Sequence, residues 1–449
     1  MNNKTFLLSD RLAKLLYSKV KDLPIIDYHN HLSVTDIAED LKFENITALW
    51  LAPDPYKHRA MRILGVPEKY ITGDASDFEK FEKWYNCLCK LVGNPLFDWS
   101  IMEFKVVFDM DLLPFKKSAK QIYDKANEKL KTLSAKKILD KFNIEYSAPC
   151  ASLTDELSAF DGKTLCPSLR GDDIVDVNLE FITKLEYLTD TKITDFKSFE
   201  KAVEIRLKSL KEKGCKFSDH ALDNGFCFIL GNPCDAFTKL LNGNTLDQNE
   251  RLSLSSCLLK MLATLYAKHG LIMQLHIGAQ RSTSTKLRNT AGKAGGFAAI
   301  GNTVDVKSLT YMLDEIEKGS YGLPKTILFT LNPSDNAVMA TLSGSYSKDN
   351  LPSVVTQGPA WWWCDHRQGI TDMLETFSAH SLLSTFIGMT TDSRSLLSFV
   401  RHDYFRRVLC SFVAKKVKEG IYTDDIDILT DTVSRMCYYN AKNIISEVK

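Results

Sequence analysis

The chain has 449 residues, 44% of them hydrophobic and 25% charged, with a formal net charge of +1. A balance that even gives no electrostatic pull toward nucleic acid or an anionic membrane, so neither is expected as a partner. The length allows one large domain or two to three ordinary ones. The eleven scattered cysteines form no CxxC pair, only the CxC of Cys87 and Cys89, which reads as reduced thiols in a cytoplasmic protein.

In chain order, the N-terminal stretch MNNKTFLLSDRLAKLLYSKVKDLP carries too much charge for a signal peptide or a membrane span. It reads as an amphipathic helix with Phe6, Leu7, Leu12, Leu15 and Leu16 near one face. The fragment PIIDYHNHLS (24–33) follows, an apolar run ending in two histidines. On a strand His29 and His31 point the same way, about 7 Å apart, and Asp27 shares their face. Two imidazoles converging from one strand end suit a divalent metal. The competing reading is a pair of hydrogen-bonded histidines in a turn.

Residues 32–142 carry helical periodicity, in DFEKFEKWYNCLCKLVG and in SAKQIYDKANEKLKTLSAKKILDKF, with no strand-like run. Beyond them short apolar runs recur: 143–150, 164–170, 215–221, 271–278, 325–332, 353–360 and 386–393, eight with the first at 24–29. Helical patterns separate several, such as NERLSLSSCLLKMLATLYAKHG and VKSLTYMLDEIEKG. Strand alternating with helix argues for an α/β fold, and eight runs fit a (β/α)8 TIM-type barrel. An open doubly wound sheet is the alternative, but no glycine-rich phosphate turn follows the first run. The expected organisation is an N-terminal helix and first strand (1–31), a helical insertion on the first βα loop (32–142), and the rest of the barrel with C-terminal helices (143–449).

Polar groups gather at the run ends, where barrel chemistry sits. Arg170 ends the third run, Asp219 and His220 the fourth; His276 lies in the fifth; Asp392 ends the eighth, with Arg394 two residues on. His29, His31 and Asp392, adjacent once the barrel closes, make a plausible three-ligand face with open positions for water or substrate. Two arginines aimed at one pocket suit a carboxylate or phosphate, although each can equally pair with local acids. GPAWWWCDH (358–366) adds Trp361, Trp362 and Trp363 at a strand end, where at least one must leave the core; a flat indole wall suits a sugar ring.

These segments together resemble the uronate isomerase (glucuronate isomerase) family of the amidohydrolase superfamily. The resemblance is carried by DYHNHLS, FENITALWL, DPYKHRAMRILGVPEKYITGDASDFEKFEKW, NPLFDW, GCKFSDHAL, MQLHIGAQR, LPKTILFTLNP, GPAWWW, GMTTDSRSLLSFVRHDYFRRVLC and YYNAKNII, in order over nearly the whole chain. It implies interconversion of an aldehydo-hexuronate and its keto form, D-glucuronate with D-fructuronate or D-galacturonate with D-tagaturonate. The chemistry is a proton shift from C2 to C1 through a cis-enediol, with no nucleotide cofactor. It further implies that His29, His31 and Asp392 surround one zinc-type ion, that Tyr56 relays a proton with Asp392 as catalytic partner, and that Arg394, Arg170, His276, Trp361 and Trp362 meet the substrate. The partner expected is a small sugar acid, with homo-oligomerisation left open.

Several positions depart from the family pattern. Pro55 stands where a pocket histidine is usual, and His58 is the nearest substitute. ASLT (151–154) replaces TDDP, DWSI (98–101) replaces HWTH, STST (282–285) replaces an asparagine-rich stretch, and RGD (170–172) replaces RPD. These leave open a homologue that binds a sugar acid without turnover, or a metal-dependent hydrolase of another acidic substrate. Against a two-metal hydrolase, Lys216 lies too early in its run for a bridging lysine, so a mononuclear site is expected.

Overall fold

The computed structural model describes residues 5–112, 116–292 and 294–447. Among these, nine strands form: β1 (Ile25–Asn30), β2 (Ile144–Ser152), β3 (Ser168–Arg170), β4 (Phe217–Leu222), β5 (Ile272–Ile277), β6 (Ala279–Gln280), β7 (Ala299–Ile300), β8 (Thr326–Thr330) and β9 (Val355–Gln357). Seven make one parallel sheet in the order β1-β2-β3-β4-β5-β8-β9, while β6 and β7 pair separately and antiparallel. The fold is α/β, its parallel sheet part of a TIM-like barrel. Strands β1, β5 and β8 are buried along their whole length, as continuous apolar runs in a parallel sheet should be. Their interior faces meet in a cluster that includes Tyr28, Tyr146, Phe217, Ile272, Ile327 and Phe329.

Helices fill the intervals, many of them starting at a side-chain cap. Asp10 caps Arg11–Val20, which is shorter than expected from the sequence; Phe6 and Leu7 precede it, Leu15 is exposed, and residues 1–4 lie outside those described. Asp54 caps Pro55–Ile63, with proline at the first helical position. Ser76 and Ser118 close capping boxes at Asp77–Leu88 and Ala119–Leu130. The helix Gln248–His269 ends at Gly270, whose φ of +70° suits glycine. Between β1 and β2 the described residues form helices and no strand, and one apolar core joins them to the C-terminal helices, with Trp99 against Tyr404 and Phe142 against Phe399.

The eighth run does not form a ladder strand. Gly388 has φ +93° and Asp392 φ +45°, which break the extended conformation. Residues 386–393 still lie along β1, through Asp392 N–H to His29 O (3.1 Å) and His31 N–H to Ser393 O (2.9 Å). The buried Asp27 carboxylate replaces the missing ladder. It accepts from Thr391 N–H (2.6 Å), Thr391 Oγ1 (2.7 Å), Thr390 Oγ1 (3.0 Å) and Asn30 Nδ2 (2.8 Å), and faces His402 Nε2 at 3.1 Å.

The alternation expected along 24–33 holds for His29 and His31, which both face Asp392, and fails for Asp27. The β1–β2 register shifts between Asp27 and Asn30. Tyr28 stacks on Phe217 while His29 packs on His276, and Asp27 turns to the eighth run and His402 rather than sharing the histidine face. An irregularity at a strand end re-aims side chains in this way.

Removing the Asp27 carboxylate strands several buried donors. Asp27→Ala is expected to lower unfolding free energy by roughly 3 kcal/mol or more, and Thr391→Val by about 1 kcal/mol. Urea denaturation read by tryptophan fluorescence checks the ranking.

Candidate active site

The C-terminal ends of the strands open into a cavity of about 1020 Å³. His29, His31, Tyr56, Arg170, His276, Trp361, Trp362, Asp392 and Arg394 all line it, the nine residues given metal, catalytic or substrate roles from the sequence. Cys150, Asp219 and His220 line it as well. His58 does not; it is buried on the helix Pro55–Ile63, and burial holds its imidazole below the ordinary range.

Asp392 is the hub. Its Oδ1 lies 3.1 Å from Nε2 of both His29 and His31, and its Oδ2 accepts from Trp361 Nε1 at 2.5 Å. Its left-handed backbone turns the carboxylate onto the imidazoles, a strained geometry of a kind that concentrates at functional sites. On the other side of His29, Cys150 Sγ stands 3.7 Å from Nδ1 and donates to Asp219 Oδ1 at 3.3 Å. Burial opposes charge on the imidazoles, yet Cys150 and Asp392 outweigh it, raising His29 and bringing His31 up to about 9. The same histidines hold Asp392 well below the usual carboxylate range against its burial.

That donor set fits a divalent ion. The ligand atoms of His29, His31 and Cys150 lie within 4.8 Å of one another, as do those of His29, Asp219 and His276. Buried His276 Nε2 has no hydrogen-bond partner. Without an ion, two imidazoles need protons to balance this anionic shell, and a cation satisfies it directly.

Tyr56 enters from the second residue of its helix. Its hydroxyl donates to Asp365 Oδ2 at 3.3 Å, and the same oxygen accepts from Arg401 Nη1 at 3.1 Å. The Arg401 guanidinium lies 4.5 Å from the Tyr56 ring and 4.3 Å from Trp99, and donates also to Thr391 O. Burial pushes Asp365 up to about 7 despite Arg401, with Asp392 adding to the rise. Sequence reasoning missed Asp365 and Arg401. Both sit behind the pocket wall and give no signal at a run end.

The tryptophans stand past β9 rather than on a strand, since Trp362 has φ +49° and residues 362–364 form a 3-10 turn. Trp361 is buried against His276, whereas Trp362 stacks on Trp363 and faces Arg281. Arg170 is held by Asp172 (2.8 Å) and Asp219 (3.7 Å), and Arg281 by Asp223 (2.9 Å). Arg394 is exposed and makes no ion pair among the described residues. At Gly171 a Cβ would fall 2.0 Å from His220 Cε1, so glycine in RGD leaves room for that ring.

A family model described as glucuronate isomerase matches residues 1–445. The uronate isomerase of Caldicellulosiruptor saccharolyticus is 39% identical, the match covering 98% of each chain, and that of Clostridium perfringens 37% with the same coverage. Among solved structures, a uronate isomerase from Thermotoga maritima superimposes with a TM-score of 0.90 at 27% identity, covering 99% of both chains.

The position of Asp365 makes a pH prediction. An ordinary Asp titrates near 3.9, so a carboxyl raised to about 7 favours the fold fully below pH ~4 and loses that contribution as pH rises through 7. Asp365→Asn does not titrate. Its stability relative to wild type is therefore expected to improve by up to about 4 kcal/mol between pH 4 and 7.5, measured by urea denaturation at each pH.

Proposed function

Because the chain belongs to the uronate isomerase (glucuronate isomerase) family of aldose–ketose isomerases, we propose that it converts D-glucuronate to D-fructuronate and D-galacturonate to D-tagaturonate by moving a proton between C2 and C1. One observation carries this reading: the histidine pair, a carboxylate, a tyrosine and an unpaired arginine share one cavity. A hexuronate needs that set, with an anchor for its C6 carboxylate, an electrophilic end for its C1–C2 oxygens, and proton carriers between.

We assign the C6 carboxylate to Arg394, because Arg170 and Arg281 already answer carboxylates of the protein. Arg170 then contributes through whichever N–H groups Asp172 and Asp219 leave open. The Trp361 and Trp362 indoles flank the sugar, and His276 lies beneath it against Phe329. Asp392 takes the C2 proton and the Tyr56 hydroxyl serves the C1 end, with Asp365 behind it. His29 and His31 would hold one divalent ion of zinc type, with Asp392 at 3.1 Å from both as third donor or orienting carboxylate. When bound, that ion polarises the carbonyl of the open-chain sugar.

The same reading takes the fold as a (β/α)8 barrel, with 386–393 as its eighth stave and 32–142 as a helical insertion on the first βα connection. The two backbone bonds from 392 and 393 to β1 support it. The eleven free thiols suit the cytoplasm, and no helix among the described residues is long and apolar enough to cross a membrane.

Turnover of both uronates by zinc-loaded protein, followed by appearance of the keto sugar, tests the assignment. His29→Ala and Tyr56→Phe are each expected to lower kcat/KM at least about 100-fold. Binding of a uronate without turnover overturns the isomerisation and leaves a sugar-acid-binding relative. Neither binding nor turnover overturns the substrate class.

A further inference from the structure

Cys150 lies near the C-terminal end of β2, inside the metal-competent cluster, and nothing in the proposed isomerisation uses it. Its Sγ stands 3.7 Å from His29 Nδ1, and the ligand atoms of His29, His31 and Cys150 lie within 4.8 Å of one another. A tetrahedral zinc ion with nitrogen at about 2.0–2.1 Å and sulfur at about 2.3 Å spaces N and S roughly 3.6 Å apart. The thiol already sits at that spacing from one imidazole, half-buried, on the cavity wall.

We propose that Cys150 is a thiolate ligand of the divalent ion, completing a set with His29 on β1 and His31 just past it. This rests on reading the histidine pair as a metal site. His29 presents Nδ1 to Cys150 and Nε2 to Asp392. Ligation on the thiolate side commits Nδ1 to the ion and leaves Nε2–H for Asp392, the carboxylate–imidazole–metal arrangement that fixes a ligand's tautomer and orientation. Asp392 is then released from serving as both ligand and base. A sulfur donor also sets the metal preference: zinc or cobalt over magnesium, manganese or calcium, which favour oxygen. The departures from the family pattern at 151–154 follow directly after this residue and leave the cysteine at the strand end untouched.

Cobalt substitution reads the bond directly. Apo protein loaded with one equivalent of Co²⁺ is expected to show visible d–d bands together with a near-ultraviolet sulfur-to-cobalt charge-transfer band. That band should persist in Cys234→Ser, an exposed thiol, and vanish in Cys150→Ser while the d–d bands remain. Zinc affinity should fall at least about tenfold in Cys150→Ser. X-ray absorption of the zinc-loaded wild-type protein needs no variant and should show one sulfur scatterer at about 2.3 Å. Bound cobalt without the charge-transfer band, or zinc with only nitrogen and oxygen neighbours, overturns Cys150 as a ligand and leaves the histidine site standing. Failure of the wild-type protein to retain any ion overturns the metal reading itself, and the cysteine with it.

Discussion

A buried carboxylate outside the cavity lining holds this site together. Asp27 is fully enclosed on β1 and gathers donors from Thr390 and Thr391, with His402 at its edge. An ionised carboxylate in such a place is tolerable only when its lone pairs are met by hydrogen bonds, and here they are. The consequence is positional. Residues 386–393 are free of the ladder geometry that would force alternation, yet they are fixed against β1, so Asp392 can adopt a left-handed backbone and reach both imidazoles. A regular eighth strand could not place that carboxylate by the same route.

The charge pattern of the cavity follows from how its cations are tied. Arg170 answers Asp172 two residues on and Asp219 on the neighbouring strand, and Arg281 answers Asp223 just past β4, which leaves them partly neutralised and geometrically fixed. Arg394 stands two residues beyond the hub and is answered by none among the described residues. The acidic groups near the mouth, Asp172, Asp173 and Asp176 among them, would repel a second anion. On the proposed reading, a monoanionic sugar with one terminal carboxylate would find one place for that group. The rest of its surface would face the Tyr56 hydroxyl, imidazoles and indoles of the lining.

Much of this was legible in the chain, for reasons that differ by element. Seven apolar runs became seven parallel strands because a fully buried strand is specified by its own residues. The eighth run looked the same in sequence, but its conformation depends on Asp27, more than three hundred and sixty residues away, and on a glycine and an aspartate at positive φ. The strand-end rule located His29, His31, Asp219, His276 and Asp392, since that rule is topological. It could also have found Cys150, which ends its run as His29 does; a cysteine without a second nearby reads instead as a buried thiol. Asp365 and Arg401 were out of reach. In WWWCDH and FVRHDYFRR they look like turn and helix-face residues, and only tertiary contact makes them the backing of Tyr56.

Pro55 is best understood through the helix it begins. Proline at the first helical position loses an N–H that had no partner in the helix, and Asp54 caps the next two, to Tyr56 at 2.9 Å and Lys57 at 3.3 Å. Lys57 is in turn locked, buried, between Asp54 and Glu103. The helix start is therefore rigid, and Tyr56 is the polar side chain it delivers to the cavity. A histidine at position 55 would add a titratable group on that wall. Without it, the wall offers a phenol backed by Asp365 and Arg401, all nearly closed to solvent. On the proposed reading the shift would run between Asp392 and Tyr56, both on the cavity wall, and would not call on a side chain at position 55.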